Sequence, residues 1–104
     1  MPQMNEDEKK EENEVKGCTS KVWISYSKNG DIYNFTADSD AFIVRGLEAI
    51  LLAALNGKTA YEIKNIDIEF FFNRLGLSEY LSPTRRNGFF SMVQRIYDII
   101  DGKI

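Results

Sequence analysis

The chain has 104 residues, 43% hydrophobic and 28% charged, with a formal net charge of −3. That length and balance suit one globular domain with a real but modest core. With no histidine and a single cysteine, Cys18, the sequence excludes Ser-His and Cys-His hydrolase chemistry, the commonest zinc and haem ligand, and any internal disulfide. No cofactor or metal is expected.

Residues 1–12 read as a disordered acidic tail and residues 13–104 as the folded domain. Between Asn5 and Lys16 lie six acids and three lysines with almost nothing apolar. Such a run buries too little surface to offset its ordering entropy, which predicts disorder or a frayed helix. Removing those charges from the totals leaves ten acids and ten bases from Gly17 onward, so the net charge resides in the tail. A neutral folded part offers no basic footprint for nucleic acid. The longest apolar stretch, residues 41–55, is interrupted by Arg45 and Glu48 and is too short to span a membrane. With no signal-peptide core either, the expectation is a soluble, cytoplasmic protein.

Cys18 sits in Gly17-Cys18-Thr19-Ser20-Lys21, a loop setting. Gly17 lets the backbone turn, Thr19 and Ser20 offer hydroxyl donors to a thiolate, and Lys16 and Lys21 bring positive charge to either side. This predicts a reactive, partly ionised thiol; the competing reading is a small hydrophobe tucked under a loop. Val22-Trp23-Ile24-Ser25-Tyr26 and Ile32-Tyr33-Asn34-Phe35-Thr36 then predict a hairpin about a turn at Lys28-Asn29-Gly30-Asp31. Val22, Ile24 and Tyr26 share one face, and Tyr33 and Phe35 another.

Asp38-Ser39-Asp40 closes the second strand and is expected to cap an apolar helix over residues 41–55, buried on most sides. Gly46 would allow close packing against the sheet, and Asn56-Gly57 stops the helix. Thr59-Ala60-Tyr61-Glu62 has capping-box spacing, and Asp67 caps a further short helix. Phe70-Phe71-Phe72 is read as core, with a partner surface as the alternative. Gly76-Leu77 breaks that helix. Ser82-Pro83 starts the last one, where Phe89, Met92, Val93, Ile96, Tyr97 and Ile100 recur at helical spacing. Arg85 falls in its first turn, where a cation opposes the helix dipole, and an external anionic partner would account for it better than helix stability does.

Three ordered blocks, Val15-Lys16-Gly17-Cys18-Thr19-Ser20-Lys21-Val22-Trp23, Asp38-Ser39-Asp40-Ala41-Phe42-Ile43-Val44-Arg45-Gly46-Leu47 and Leu81-Ser82-Pro83-Thr84-Arg85-Arg86-Asn87-Gly88, resemble the SufE-like sulfur acceptors of iron–sulfur cluster assembly. The resemblance runs from about Asn13 to Ile100. It implies that Cys18 accepts sulfane sulfur from a cysteine desulfurase as a persulfide and passes it to a cluster scaffold or another thiol acceptor, in a reducing compartment. It implies a short strand at Glu14 to Lys16, a role for the start of the first long helix, at Ser39 and Asp40, in gating the cysteine loop, and contact of Arg85 with the desulfurase. The helices that usually precede the cysteine block in this family are not matched, which would leave apolar area for a second copy, in a homodimer, or for a partner to cover. The loop also carries Thr19-Ser20-Lys21 where the family more often has glutamine.

The expected fold is therefore α+β, a small antiparallel sheet packed against helices in the SufE/IscU-like manner, with the thiol at one end of the sheet. The expected function is that of a sulfur carrier stimulating a cysteine desulfurase by transpersulfuration. The alternative is a non-catalytic module that binds and regulates a desulfurase without carrying sulfur. A cluster scaffold is disfavoured, because one cysteine and no histidine leave too few soft ligands.

Overall fold

Strand β1 (Val22–Asn29) pairs antiparallel with β2 (Ile32–Ser39) from Val22 opposite Ser39 to Asn29 opposite Ile32. The turn between them is only Gly30-Asp31, because Gly30 takes φ 63°, the positive value that a two-residue hairpin needs and a side chain resists. These contacts come from a computed structural model that describes residues 4–18 and 20–104. Thr19, the expected hydroxyl donor, and the first three residues of the tail lie outside the described residues.

The register corrects one expectation. Val22, Ile24 and Tyr26 lie opposite Ser39, Ala37 and Phe35, so Tyr33 and Phe35 share their face of the sheet rather than taking another. Val22, Ile24, Tyr33, Phe35, Ala37 and Ser39 are all buried on that face. Helix α1 (Phe42–Leu55) packs over β2, and α4 (Pro83–Ile100) reaches β1. Their apolar stripes close one core: Leu47, Leu51, Leu52 and Leu55 from α1, and Phe89, Met92, Val93, Ile96, Ile99 and Ile100 from α4. The architecture is α+β, a three-stranded antiparallel sheet with helices on its inner face.

Between the two long helices come β3 (Lys58–Thr59), α2 (Ala60–Lys64) and α3 (Ile68–Arg74). Strand β3 pairs with Ile32 and Tyr33 and has no signature of its own in the sequence. The Asn56 side chain positions it: its amide accepts from Phe35 N at 2.7 Å and donates to Phe35 O at 3.1 Å, tying the end of α1 to β2. Three caps form as their spacing predicts. Thr59 and Glu62 make the reciprocal capping box, Asp67 accepts from Phe70 N, and Ser82 accepts from Arg85 N with Pro83 at the first position of α4. Of the three phenylalanines, Phe72 enters the core against Phe89 and Phe71 packs partly on it, whereas Phe70 is exposed.

Helix α1 departs from expectation. Only its sheet-facing stripe is buried: Phe42 is 89% exposed and Ile43 48%. Gly46 faces outward, and a methyl group there would meet nothing within 4 Å, so no close packing demands glycine. The backbone N-cap is Ala41, with no side-chain cap, because Asp38, Ser39 and Asp40 are engaged elsewhere.

Composition predicts a disordered amino-terminal stretch; the structure instead lays residues 4–13 against the outer side of the hairpin. Two single 3-10 turns, Glu6–Glu8 and Glu11–Asn13, carry it. Its anchors are mainly polar, which an apolar-pattern reading misses: Lys9 Nζ lies 3.1 Å from Asp38 Oδ2, Thr36 Oγ1 donates to Glu8 Oε2 at 3.0 Å, and Arg95 donates to Glu12 O. Met4 is buried.

Candidate functional site around Cys18

The loop that carries Cys18 is closed at its base. Val15 N donates to Val22 O at 2.7 Å, and Glu14 bridges Trp23, so the short strand expected at residues 14–16 is reduced to one antiparallel bridge. From that base the chain turns through Gly17 at φ 87°, where a Cβ would stand 2.8 Å from Ser91 Oγ on α4. The positive φ favours glycine there, and the Ser91 hydroxyl would have to turn aside for any larger residue. The loop therefore lies directly on α4, and the Cys18 thiol reaches Gly88 O at 3.6 Å.

Its other side is clasped by the start of α1. Asp40 N donates to Lys21 O at 3.2 Å, and Lys21 N donates to Asp40 Oδ1 at 3.1 Å. Asp40 thus tethers the loop rather than capping the helix. Ser39 is buried at the same corner, where its Oγ accepts from Ala41 N at 3.1 Å and its N–H donates to Asp38 Oδ1 at 2.8 Å. Ser39 braces the strand-to-helix corner and does not touch the thiol cavity.

That cavity is small, about 20 Å³, enough for one water-sized occupant. Cys18 and Ser20 line it from the loop, Val44 and Leu47 from α1, and Phe89 and Met92 from α4. Arg85, half-buried in the first turn of α4, lines it as well. Of the expected site residues, the structure brings Cys18 and Arg85 onto one cavity, holds Asp40 one tether away, and leaves Ser39 as support.

The electrostatics overturn the expected activation of the thiol. Burial pushes the Cys18 thiol above its ordinary value, and the Glu48 carboxyl adds to the rise. The flanking lysines are not among the causes that set it: Lys21 is exposed, and Lys16 pairs with Glu14 at 3.8 Å. In this closed arrangement Cys18 is a neutral thiol at neutral pH. Glu48 is the residue that sequence reasoning passed over. It is 1% exposed, neither carboxylate oxygen has a hydrogen-bond partner, and burial, reinforced by Asp38 and opposed by Arg45, raises its pKa to about 8. The available signal was an acid inside the helical stripe 44, 47, 48, 51, 52, 55.

Asp38 completes the cluster. Burial pushes its carboxyl up, but Ser39 N–H, Lys9 and Arg45 outweigh that and hold it below the ordinary range; Arg45 Nε lies 3.0 Å away.

A family model described as SufE, Fe-S metabolism associated domain, matches residues 1–100. The chain belongs to that family. The match takes in the acidic stretch as well as the three blocks, and so extends beyond the resemblance read from Asn13 onward. An uncharacterized SufE-like protein of Rhizobium meliloti is 44% identical over 108 residues, covering 100% of this chain and 77% of its own length. Another, of Rhizobium etli, is 47% identical over 100 residues, covering 92% of this chain and 68% of its own. Membership associates this SufE domain with iron–sulfur metabolism. Among the described residues no helix is long and apolar enough to cross a membrane, and no three His, Cys, Asp or Glu side chains gather as a metal ion would require.

Proposed function

We propose that this SufE domain is a sulfur carrier, with Cys18 as the acceptor. The observation that carries the reading is the sole thiol of a SufE domain, held on a glycine-turned loop over a cavity sized for one small atom. In the reaction, the Cys18 thiolate attacks the terminal sulfur of a persulfide on a cysteine desulfurase. The new bond joins Cys18 Sγ to that sulfur; the old sulfur–sulfur bond breaks, and its electron pair leaves on the desulfurase thiolate. The sulfane sulfur keeps its oxidation level, so no external oxidant or reductant is needed. A second exchange passes it to a scaffold or another acceptor thiol.

The closed loop does not present a thiolate, so docking must release it. Opening breaks the Cys18–Gly88 contact and the Asp40–Lys21 clasp, giving Asp40 a gating role and Ser39 a supporting one at the same corner. The docking face is the surface around Arg85 together with the exposed Phe42 and Ile43 at the start of α1. The raised pKa of the resting thiol also favours a second reading, a module that regulates a desulfurase without carrying sulfur.

Desulfurase turnover separates them. A carrier stimulates turnover through Cys18, so Cys18→Ser abolishes the stimulation. A regulatory module keeps its stimulation in the serine variant, and that result would sink the covalent role.

A further inference from the structure

Val44, Leu47 and Glu48 occupy positions i, i+3 and i+4 of α1, one stripe of the helix. The first two form a wall of the Cys18 cavity, and the third, buried without a hydrogen-bond partner, lies on the same side of the helix in the apolar core. A leucine or isoleucine would fill that position without the desolvation that an unpartnered carboxyl suffers. Glu48 therefore does nothing for the packing that an apolar residue would not do better.

What it does reach is the thiol. The Glu48 carboxyl, buried one helical turn from the cavity wall at Val44, pushes the Cys18 thiol up by charge, in addition to the larger effect of burial. We propose that Glu48 is a positioning residue for the Cys18 site: its buried carboxyl limits the closed cavity to one negative charge, so that sulfur can be held there as an anion only while Glu48 carries a proton. The coupling is reciprocal, as linkage requires. Ionising the sulfur favours protonated Glu48, and ionising Glu48 favours neutral sulfur.

The groups facing Glu48 fit this division. From β2, Asp38 repels its negative charge; from α1 itself, Arg45 attracts it. Lys9 of the amino-terminal segment pairs with Asp38 at 3.1 Å and acts through it. On the inner face, β1 offers the apolar Val22 and Ile24, and α4 brings Arg85 to the far wall of the thiol cavity. With Arg45 committed to Asp38 at 3.0 Å and Lys9 to the same carboxylate, neither cation pairs with Glu48, whose oxygens have no hydrogen-bond partner among the described residues. Its titration, toward a pKa of about 8, is thus available to the sulfur.

For sulfur transfer the consequence is concrete, and this purpose rests on the carrier reading. Protonated Glu48 lets the cavity shelter an anionic persulfide after loading. The same carboxyl, when ionised, keeps the unloaded thiol protonated and inert toward small electrophiles until the loop opens.

The test is the pH profile of Cys18 alkylation by iodoacetamide in the full chain, comparing wild type with Glu48→Gln, which keeps size and shape. The account expects the variant's profile to move to lower pH, with alkylation several-fold faster near pH 8 and circular dichroism unchanged. Superimposable profiles would overturn it. So would a uniform rise at every pH without a shift of midpoint, which is what a merely loosened loop produces. Should Glu48→Gln lose structure, Glu48→Met supplies the same comparison without a buried polar group. Alkylation needs no desulfurase: a shifted profile in a protein that takes up no sulfur would retain the coupling and refute the carrier reading alone.

Discussion

A carboxyl that is 1% exposed with both oxygens unpartnered, as Glu48 has, binds its proton more tightly in the folded chain than in the unfolded one. The sign follows directly. Between the unfolded value of 4.5 and the folded value of about 8, the native state holds a proton that the unfolded state has released, so stability falls as pH rises. The slope approaches about 1.4 kcal/mol per pH unit. Asp38 acts oppositely: its depressed carboxyl contributes stability that is present above the ordinary aspartate range and lost as pH falls below it. Urea unfolding between about pH 5 and about pH 8 separates the two, because Glu48, with its pKa raised to about 8, titrates there and the depressed Asp38 does not. Wild type loses stability across it and Glu48→Gln stays nearly flat; a slope retained in the variant would assign the dependence to another group. None of this was legible in the sequence, where Glu48 shows only as an interruption of an apolar run. Its meaning depends on which side of α1 meets the sheet.

Among the elements, what was legible is what is local. The capping pairs Thr59–Glu62, Asp67–Phe70 and Ser82–Arg85 each span three residues, and all three form. At Asp38-Ser39-Asp40 the same reasoning holds only for Ser39, whose Oγ accepts from Ala41 N at the helix start, while the two aspartates also serve partners remote in sequence. Asp40 accepts from Lys21, nineteen residues earlier, and Asp38 pairs with Lys9 and Arg45. A capping propensity cannot compete with a clasp that the hairpin register has already brought alongside. Strand β3 escaped for a related reason: two residues carry no periodicity, and Asn56 and the edge of β2 position them. The clasp makes its own prediction. Asp40→Ala removes the acceptor of one backbone N–H, costing about 1 kcal/mol, enough to favour loop opening several-fold. Cys18 should then alkylate several-fold faster at a given pH, with the circular dichroism of the folded state unchanged and the unfolding midpoint lowered by only about 4–8 °C. Equal alkylation rates would mean that Asp40 does not hold the loop.

Across the whole molecule, the three blocks that carry the family resemblance converge on one place. The cysteine loop, the start of α1 and the first turns of α4 are separated in sequence, yet Cys18, Val44, Leu47, Arg85 and Gly88 meet at one cavity. The α+β class and the order of the main elements followed from hydrophobic period and turn chemistry, whereas the acidity of the thiol did not. Burial decides it, and burial is a property of the assembled fold rather than of the residues flanking Cys18. The amino-terminal stretch teaches the same point in reverse, since its order comes from ion pairs and hydrogen bonds with residues far along the chain. The most direct measurement of the central claim is the intact mass of the protein after incubation with a cysteine desulfurase and free cysteine, with Cys18→Ser alongside. The account predicts a gain of one sulfur, about 32 Da, that is removed by reductant and absent from the variant. An unchanged wild-type mass in a mixture where the desulfurase is turning over, or the same gain in Cys18→Ser, would contradict it.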